Sequence, residues 1–235
     1  MTQRQRSPEV ATHEPAGTTL PRCIGRLHVI TTETLQTRYS HVEIAALAAQ
    51  GGADVVQFRE KRNQNTQTQL LAINEMQSAL HSKKCQLIVN DRSDLAHATK
   101  AGLHIGPNDI SPMIARDILG PEPIIGATAN NPEMLAALQD APIDYVGVGP
   151  VFETNSKDSP APTLGLEGLR RMIAESPFPV IAIGSIRAHQ VQSVLQTGAH
   201  GVAVISGVVL QDNPAAAAHT YRHAIDAFLK SDASS

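Results

Sequence analysis

The run Gln57-Phe58-Arg59-Glu60-Lys61 sets one amide and two cations two residues apart, with Phe58 and Glu60 interleaved. If the run closes a strand, positions 57, 59 and 61 point one way and 58 and 60 the other. An amide, a planar guanidinium fork and a point charge on one side suit a di- or triphosphate. The plain alternative is a surface charge run paired within itself. Asn90-Asp91-Arg92 and Asp109 add two carboxylates. Either alone reads as a helix cap or turn residue. Together, beside Arg59 and Lys61, they suit one Mg²⁺, an ion held by one or two carboxylates plus substrate phosphates and water. Cations and a metal would offset the charge of a pyrophosphate and stabilise its departure.

Further along, Glu153 to Pro162 is a long, polar, Pro-rich segment that carries Thr154, Asn155, Ser156 and Lys157. It reads either as a surface loop or as a lid whose hydroxyls and cation meet an anion. Gly184-Ser185 and Ile205-Ser206-Gly207 are candidate phosphate turns, because glycine allows close backbone approach. His104, inside an apolar run, reads as a packed core residue rather than a catalyst.

These groups need a scaffold that brings them together. Eight short aliphatic runs supply it: Leu27–Thr31, Asp54–Phe58, Gln86–Val89, Gly102–Ile105, Pro123–Gly126, Asp144–Val148, Pro179–Ile183 and Gly201–Ile205. Continuous apolar runs of this length read as strands buried on both faces, the signature of a parallel sheet. Helical spacing recurs between them, as in Leu70/Ile73/Met76/Leu80, Leu166/Leu169/Ile173 and Val191/Val194/Leu195. Ser111-Pro112, Asn131-Pro132 and Asn213-Pro214 predict helix starts, and Ser93 a further cap. The pattern predicts a single α/β domain, a (β/α)₈ TIM barrel over residues 24–230, behind a disordered tail over 1–23. In that fold the site forms at the C-terminal ends of the strands. The polar residues above all stand at or just beyond those ends.

Composition agrees. The chain has 235 residues, 42% of them hydrophobic, only 3% aromatic and none Trp, so its core is aliphatic. A net charge of −3 argues against a general nucleic-acid partner. Cys23 and Cys85 show no metal or redox spacing and read as reduced thiols. No apolar stretch approaches the ~18 residues of a membrane span, and the N-terminus lacks the apolar core of a secretory signal. These features predict a cytoplasmic protein with small-molecule substrates, and leave homo-oligomer formation open.

Seven segments in register resemble the thiamine phosphate synthase family: QFREK (57–61), VNDRSDLA (89–96), GLHIGPND (102–109), IIGATANN (124–131), DYVGVGPVFETNSK (144–157), PVIAIGSI (179–186) and GVAVIS (201–206). They cover nearly everything from about 27 to 210. The resemblance implies a (β/α)₈ enzyme that joins hydroxymethylpyrimidine diphosphate to hydroxyethylthiazole phosphate, plain or carboxylated, and releases pyrophosphate with Mg²⁺. It assigns the QFREK segment with Asn90 and Lys157 to the pyrimidine diphosphate, and Asp91 and Asp109 to magnesium. Thr128 falls in the reacting region. Thr154, Ser156, Gly184 or Ser185, Ile205 and Ser206 go to the thiazole phosphate, and Asn155 counts among the substrate-binding residues. Arg59, Lys61, Thr128 and Lys157 are the implied catalytic set. Pro107, Asn130 and Ser185 depart from the family pattern, which usually has Gln, His and Gly there. The rival readings are a thiazole tautomerase relative, which tends to lose the Asp of the NDR motif, and a non-catalytic barrel that binds thiamine precursors.

Overall fold

The computed structural model describes residues 23–62, 64–153 and 162–232. Eight parallel strands close into a barrel in chain order, so every neighbour in sequence is a neighbour in space. They are β1 (Leu27–Thr31), β2 (Val55–Phe58), β3 (Gln86–Asn90), β4 (Gly102–Ile105), β5 (Ile125–Ala129), β6 (Tyr145–Val148), β7 (Val180–Ile183) and β8 (Gly201–Val204). The outer helices are α1 (His41–Gln50), α2 (Thr66–Leu80), α3 (Ser93–Thr99), α4 (Pro112–Leu119), α5 (Pro132–Ala136), α6 (Gly165–Glu175), α7 (Val191–Leu195), α8 (Ser206–Val209) and α9 (Pro214–Asp232).

Strand alternation divides the core into two layers. Ile30, Val55, Ile88, Tyr145, Ile181 and Ala203 fill the lumen as one cluster. Their strand neighbours, among them Val29, Val56, Val89, Leu103, Ile125 and Val146, join the larger layer beneath the helices. The predicted helix faces supply its other half: Ile73, Met76 and Leu80 of α2, Leu169 of α6, and Val191, Val194 and Leu195 of α7 are buried, while Leu70, Leu166 and Ile173 pack against this layer half-buried and Met172, not foreseen, is buried beside Leu169. Each such side chain contributes about 1.5–3 kcal/mol by leaving water.

At the strands' N-terminal ends, aspartates tie neighbours together. Asp54 Oδ2 accepts from the backbone N–H of Arg26 and Leu27 at 2.8 and 2.9 Å and from Arg222 at 3.0 Å. Asp144 Oδ2 does the same for Ile125 N–H at 2.7 Å and Arg116 at 2.8 Å.

Three helix starts are as predicted. Ser111, Asn131 and Asn213 accept from backbone N–H groups three residues on, with Pro at the next position. Ser93 is not a cap: it is the first residue of α3, and Arg92 ahead of it makes no side-chain cap bond. The left-handed turn at Asp91, φ +64, already redirects the chain into the helix.

The fifth strand differs most from expectation. It runs over Ile125–Ala129 rather than 123–126. Proline at 123 cannot donate to a ladder, and Leu103 pairs with Ile125. Thr128 therefore sits within the strand and pairs with Gly147, and Asn90 likewise ends β3 from inside it.

Candidate active site

On β2 the alternation that puts Val55 in the lumen also puts Gln57 there, 3% exposed. Arg59 and Lys61 continue the same side beyond the strand. Arg59 is half-buried; desolvation lowers its guanidinium from the ordinary value, and the nearby charge of Asp91 works against that. Lys61 Nζ donates to Asp91 Oδ2 across from β2 to the end of β3.

Asp91 is matched from the next strand by Asp109. Asp109 Oδ2 accepts from Gly106 N–H at 2.7 Å. Its carboxyl is nonetheless raised above the ordinary value, first by partial desolvation and then by the Asp91 carboxylate beside it, with Lys61 opposing. Two acidic groups therefore crowd one another at the ends of β3 and β4, next to two cations from β2. Such like-charge crowding is relieved by a proton or a cation. Among the described residues, no group of three or more His, Cys, Asp or Glu gathers as a metal site. A metal here would thus rest on two carboxylates and on oxygens brought by substrate. That is an all-oxygen, incomplete donor set of the kind Mg²⁺ accepts.

Phe58 and Glu60 are not brought into the mouth. Phe58 is 2% exposed and packs under α1 against His41, centroids 4.6 Å apart. The Glu60 side chain is 1% exposed, bonded to Arg62 and 3.3 Å from His41 Nε2. Arg62 in turn meets Glu33 at 2.7 Å, and His41 Nδ1 lies 2.5 Å from Thr31 Oγ1. The side chains of the QFREK run thus divide as strand parity requires, and the turned-away pair anchors the end of β2 to the helix layer.

Across the barrel, Gly184 and Ser185 follow β7 with φ of +115 and +48. A Cβ at Gly184 would lie 2.5 Å from Pro150 Cα, so glycine is required there. Ser185 holds a left-handed conformation at a cost of roughly 1–2 kcal/mol. Ile205 and Ser206 lead directly into α8. Ser185, Ile186, Arg187, Ser206, Gly207 and Tyr221 line a cavity of about 560 Å³ at these strand ends. Tyr221 Oη donates to Ile186 O at 2.9 Å. Arg187 went unnoticed in the sequence because it lies past the glycine turn. A comparable cavity of about 550 Å³, lined by Lys84, Cys85, Lys100 and Glu122 among others, opens at the opposite end of the barrel. Thr154, Asn155, Ser156 and Lys157 lie outside the described residues.

His104 is not merely packed. Parity turns it inward while Leu103 and Ile105 face the helices. Its Nε2 lies 2.9 Å from Thr128 Oγ1 and its Nδ1 2.9 Å from Tyr145 Oη. The sequence signal was available: 104 shares parity with the strand-end residue Gly106.

Comparison with known proteins agrees with this geometry. A family model described as thiamine monophosphate synthase matches residues 27–208. The thiamine-phosphate synthase of Salinibacter ruber is 44% identical over 210 residues, covering 89% of this chain and 92% of its own. That of Chloroflexus aurantiacus is 39% identical over 199 residues, covering 84% and 91%. The solved structure of a thiamine phosphate pyrophosphorylase from Pyrococcus furiosus superposes with a TM-score of 0.79 at 33% identity, covering 87% of this chain and 96% of its own.

Proposed function

The chain belongs to the thiamine monophosphate synthase family, and on that premise we propose that its barrel mouth joins hydroxymethylpyrimidine diphosphate to hydroxyethylthiazole phosphate, forming thiamine phosphate and releasing pyrophosphate. The observation that carries the reading is the cluster at the ends of β2, β3 and β4, where Arg59 and Lys61 stand against the crowded carboxylates of Asp91 and Asp109.

In this reaction the bond from the pyrimidine methylene carbon to its diphosphate oxygen breaks, and a bond from that carbon to the thiazole nitrogen forms. The electron-rich aminopyrimidine stabilises positive charge at the methylene, so departure of pyrophosphate precedes attack. The protein then supplies no nucleophile. Arg59 and Lys61 neutralise charge that grows on the leaving oxygens. Gln57 and Asn90, turned inward near the ends of β2 and β3, orient the pyrimidine diphosphate. Ser185 and Ser206 hold the second substrate's phosphate across the barrel. Holding both partners in line replaces a bimolecular encounter, and the aliphatic lumen keeps water from the cation. Asp91 and Asp109 would hold Mg²⁺ jointly with diphosphate oxygens; when bound, it supplies further positive charge to the leaving group. Among the described residues no helix is long and apolar enough to cross a membrane, and a cytoplasmic setting is part of the reading.

The test is to mix the full chain with both substrates and Mg²⁺ and to measure thiamine phosphate and pyrophosphate together. Equal amounts of the two products are expected. Failure to form either by a folded protein refutes the reaction. Asp91→Asn is the informative variant, since Asn tolerates the left-handed backbone that Asp91 adopts. It should lower turnover most when Mg²⁺ is limiting; equal turnover at every Mg²⁺ concentration removes Asp91 from the metal.

A further inference from the structure

A hydrogen-bonded chain runs from the interior of the barrel to its mouth. Tyr145 opens β6 and is 1% exposed. Its Oη lies 2.9 Å from His104 Nδ1, and His104 Nε2 lies 2.9 Å from Thr128 Oγ1. His28 packs edge-on against the same phenol, ring centroids 5.3 Å apart. Two glycines make the room. A Cβ at Gly126 would lie 2.1 Å from Tyr145 Cζ, and one at Gly147 3.2 Å from His104 Cε1. Glycine weakens a strand interior, so both positions give up local strand stability for space that the rings occupy.

We propose that Tyr145 is a positioning residue for the reaction: it fixes the tautomer of His104, and His104 thereby presents the Thr128 hydroxyl proton to an acceptor on the bound pyrimidine diphosphate. The count of donors fixes the polarity of the chain. A phenol has one proton and Tyr145 Oη meets no second acceptor among the described residues. Left unpaired in the lumen, that proton would carry the full cost of desolvation, so it goes to His104 Nδ1. A neutral imidazole that accepts at Nδ1 carries its own proton on Nε2. Thr128 Oγ1 must then accept from Nε2, which leaves the threonine proton available to an acceptor other than His104. The reverse polarity, with Thr128 donating to Nε2, puts the imidazole proton on Nδ1 and strands the phenol proton. A doubly protonated ring strands it too. Burial independently raises the Tyr145 hydroxyl above its ordinary range and so keeps the proton in place.

The role in turnover rests on the reaction proposed above; the tautomer does not, and the two are read separately. Nitrogen NMR of the unliganded wild-type chain should show His104 as the Nε2–H tautomer, its signal identified by its loss in His104→Gln. Tyr145→Phe removes one oxygen atom and keeps the ring. It should release that tautomer preference and lower kcat about five- to tenfold, the order of one hydrogen bond, with the KM for thiazole phosphate unchanged. In His104→Gln a side-chain amide donates to Thr128 regardless of the phenol, so adding Tyr145→Phe there should lower kcat less than twofold. The proposal is overturned by an Nδ1–H or doubly protonated His104 in the wild type, by wild-type kcat in Tyr145→Phe, or by an equal loss in both backgrounds, which would make the phenol a packing group. A wild-type chain with the expected tautomer but no turnover would instead overturn the reaction.

Discussion

Replacing Lys61 with Met should separate stability from catalysis. In the free protein Lys61 pairs with Asp91, and their side chains are 42% and 28% exposed. A pair this wet contributes about 0–1 kcal/mol. Methionine keeps the apolar stem, and Asp91 stays solvated after its partner is lost. For a chain of this length 1 kcal/mol moves the thermal midpoint by about 2–4 °C, so the variant should melt within roughly 4 °C of wild type. The bound diphosphate presents a different environment. There the ammonium would meet leaving-group oxygens with water excluded, and one hydrogen bond to a charged group is worth about 1.5–3 kcal/mol. At about 1.4 kcal/mol per tenfold, kcat/KM for the pyrimidine diphosphate should fall about 10- to 150-fold. The assay pairs pyrophosphate release under varied pyrimidine diphosphate with a melt of the same sample. A midpoint more than about 10 °C lower with kcat/KM intact would refute the reasoning, because Lys61 would then hold the fold and not the substrate.

Gly126→Ala should destabilise the barrel. The new carbon would sit 2.1 Å from Tyr145 Cζ, against about 3.5–4.0 Å for ordinary contact, and the ring is only 1% exposed. Overpacking costs about 1–3 kcal/mol, read as a lower urea midpoint; an unchanged midpoint would mean the ring yields freely. His28 gives a pH prediction. Burial lowers its imidazole to about 4 from the usual 6.5, so the unfolded chain binds a proton first as the medium acidifies. The stability it confers is whole above pH 6.5 and is lost as pH falls toward 4, about 3 kcal/mol over that window. His28→Gln should flatten urea midpoints between pH 6.5 and 4; an identical slope would show that His28 is not buried neutral.

Much of this was written locally. Eight aliphatic runs, the Ser-Pro and Asn-Pro helix starts and the polar residues past each run identify the barrel and the end that carries chemistry. They do so because strand period, turn chemistry and the shared handedness of βαβ crossovers act over a few residues. Parity within QFREK even predicts that positions 57, 59 and 61 part from 58 and 60. What those side chains touch was not legible. That Glu60 is buried against His41 and Arg62 depends on where α1 packs. The extent of β5, and with it the place of Thr128, depends on pairing with β4.

The sequence by itself therefore determined the architecture, the catalytic end of the barrel and the chemical types gathered there, because those follow from periodicity and composition. Only the tertiary structure decided that Asp109 is crowded by Asp91, that Gly126 makes room for Tyr145, and that His104 joins Tyr145 to Thr128. Each of these joins residues on or just past different strands, and contacts so arranged are set by the register of the closed barrel, which no single segment encodes.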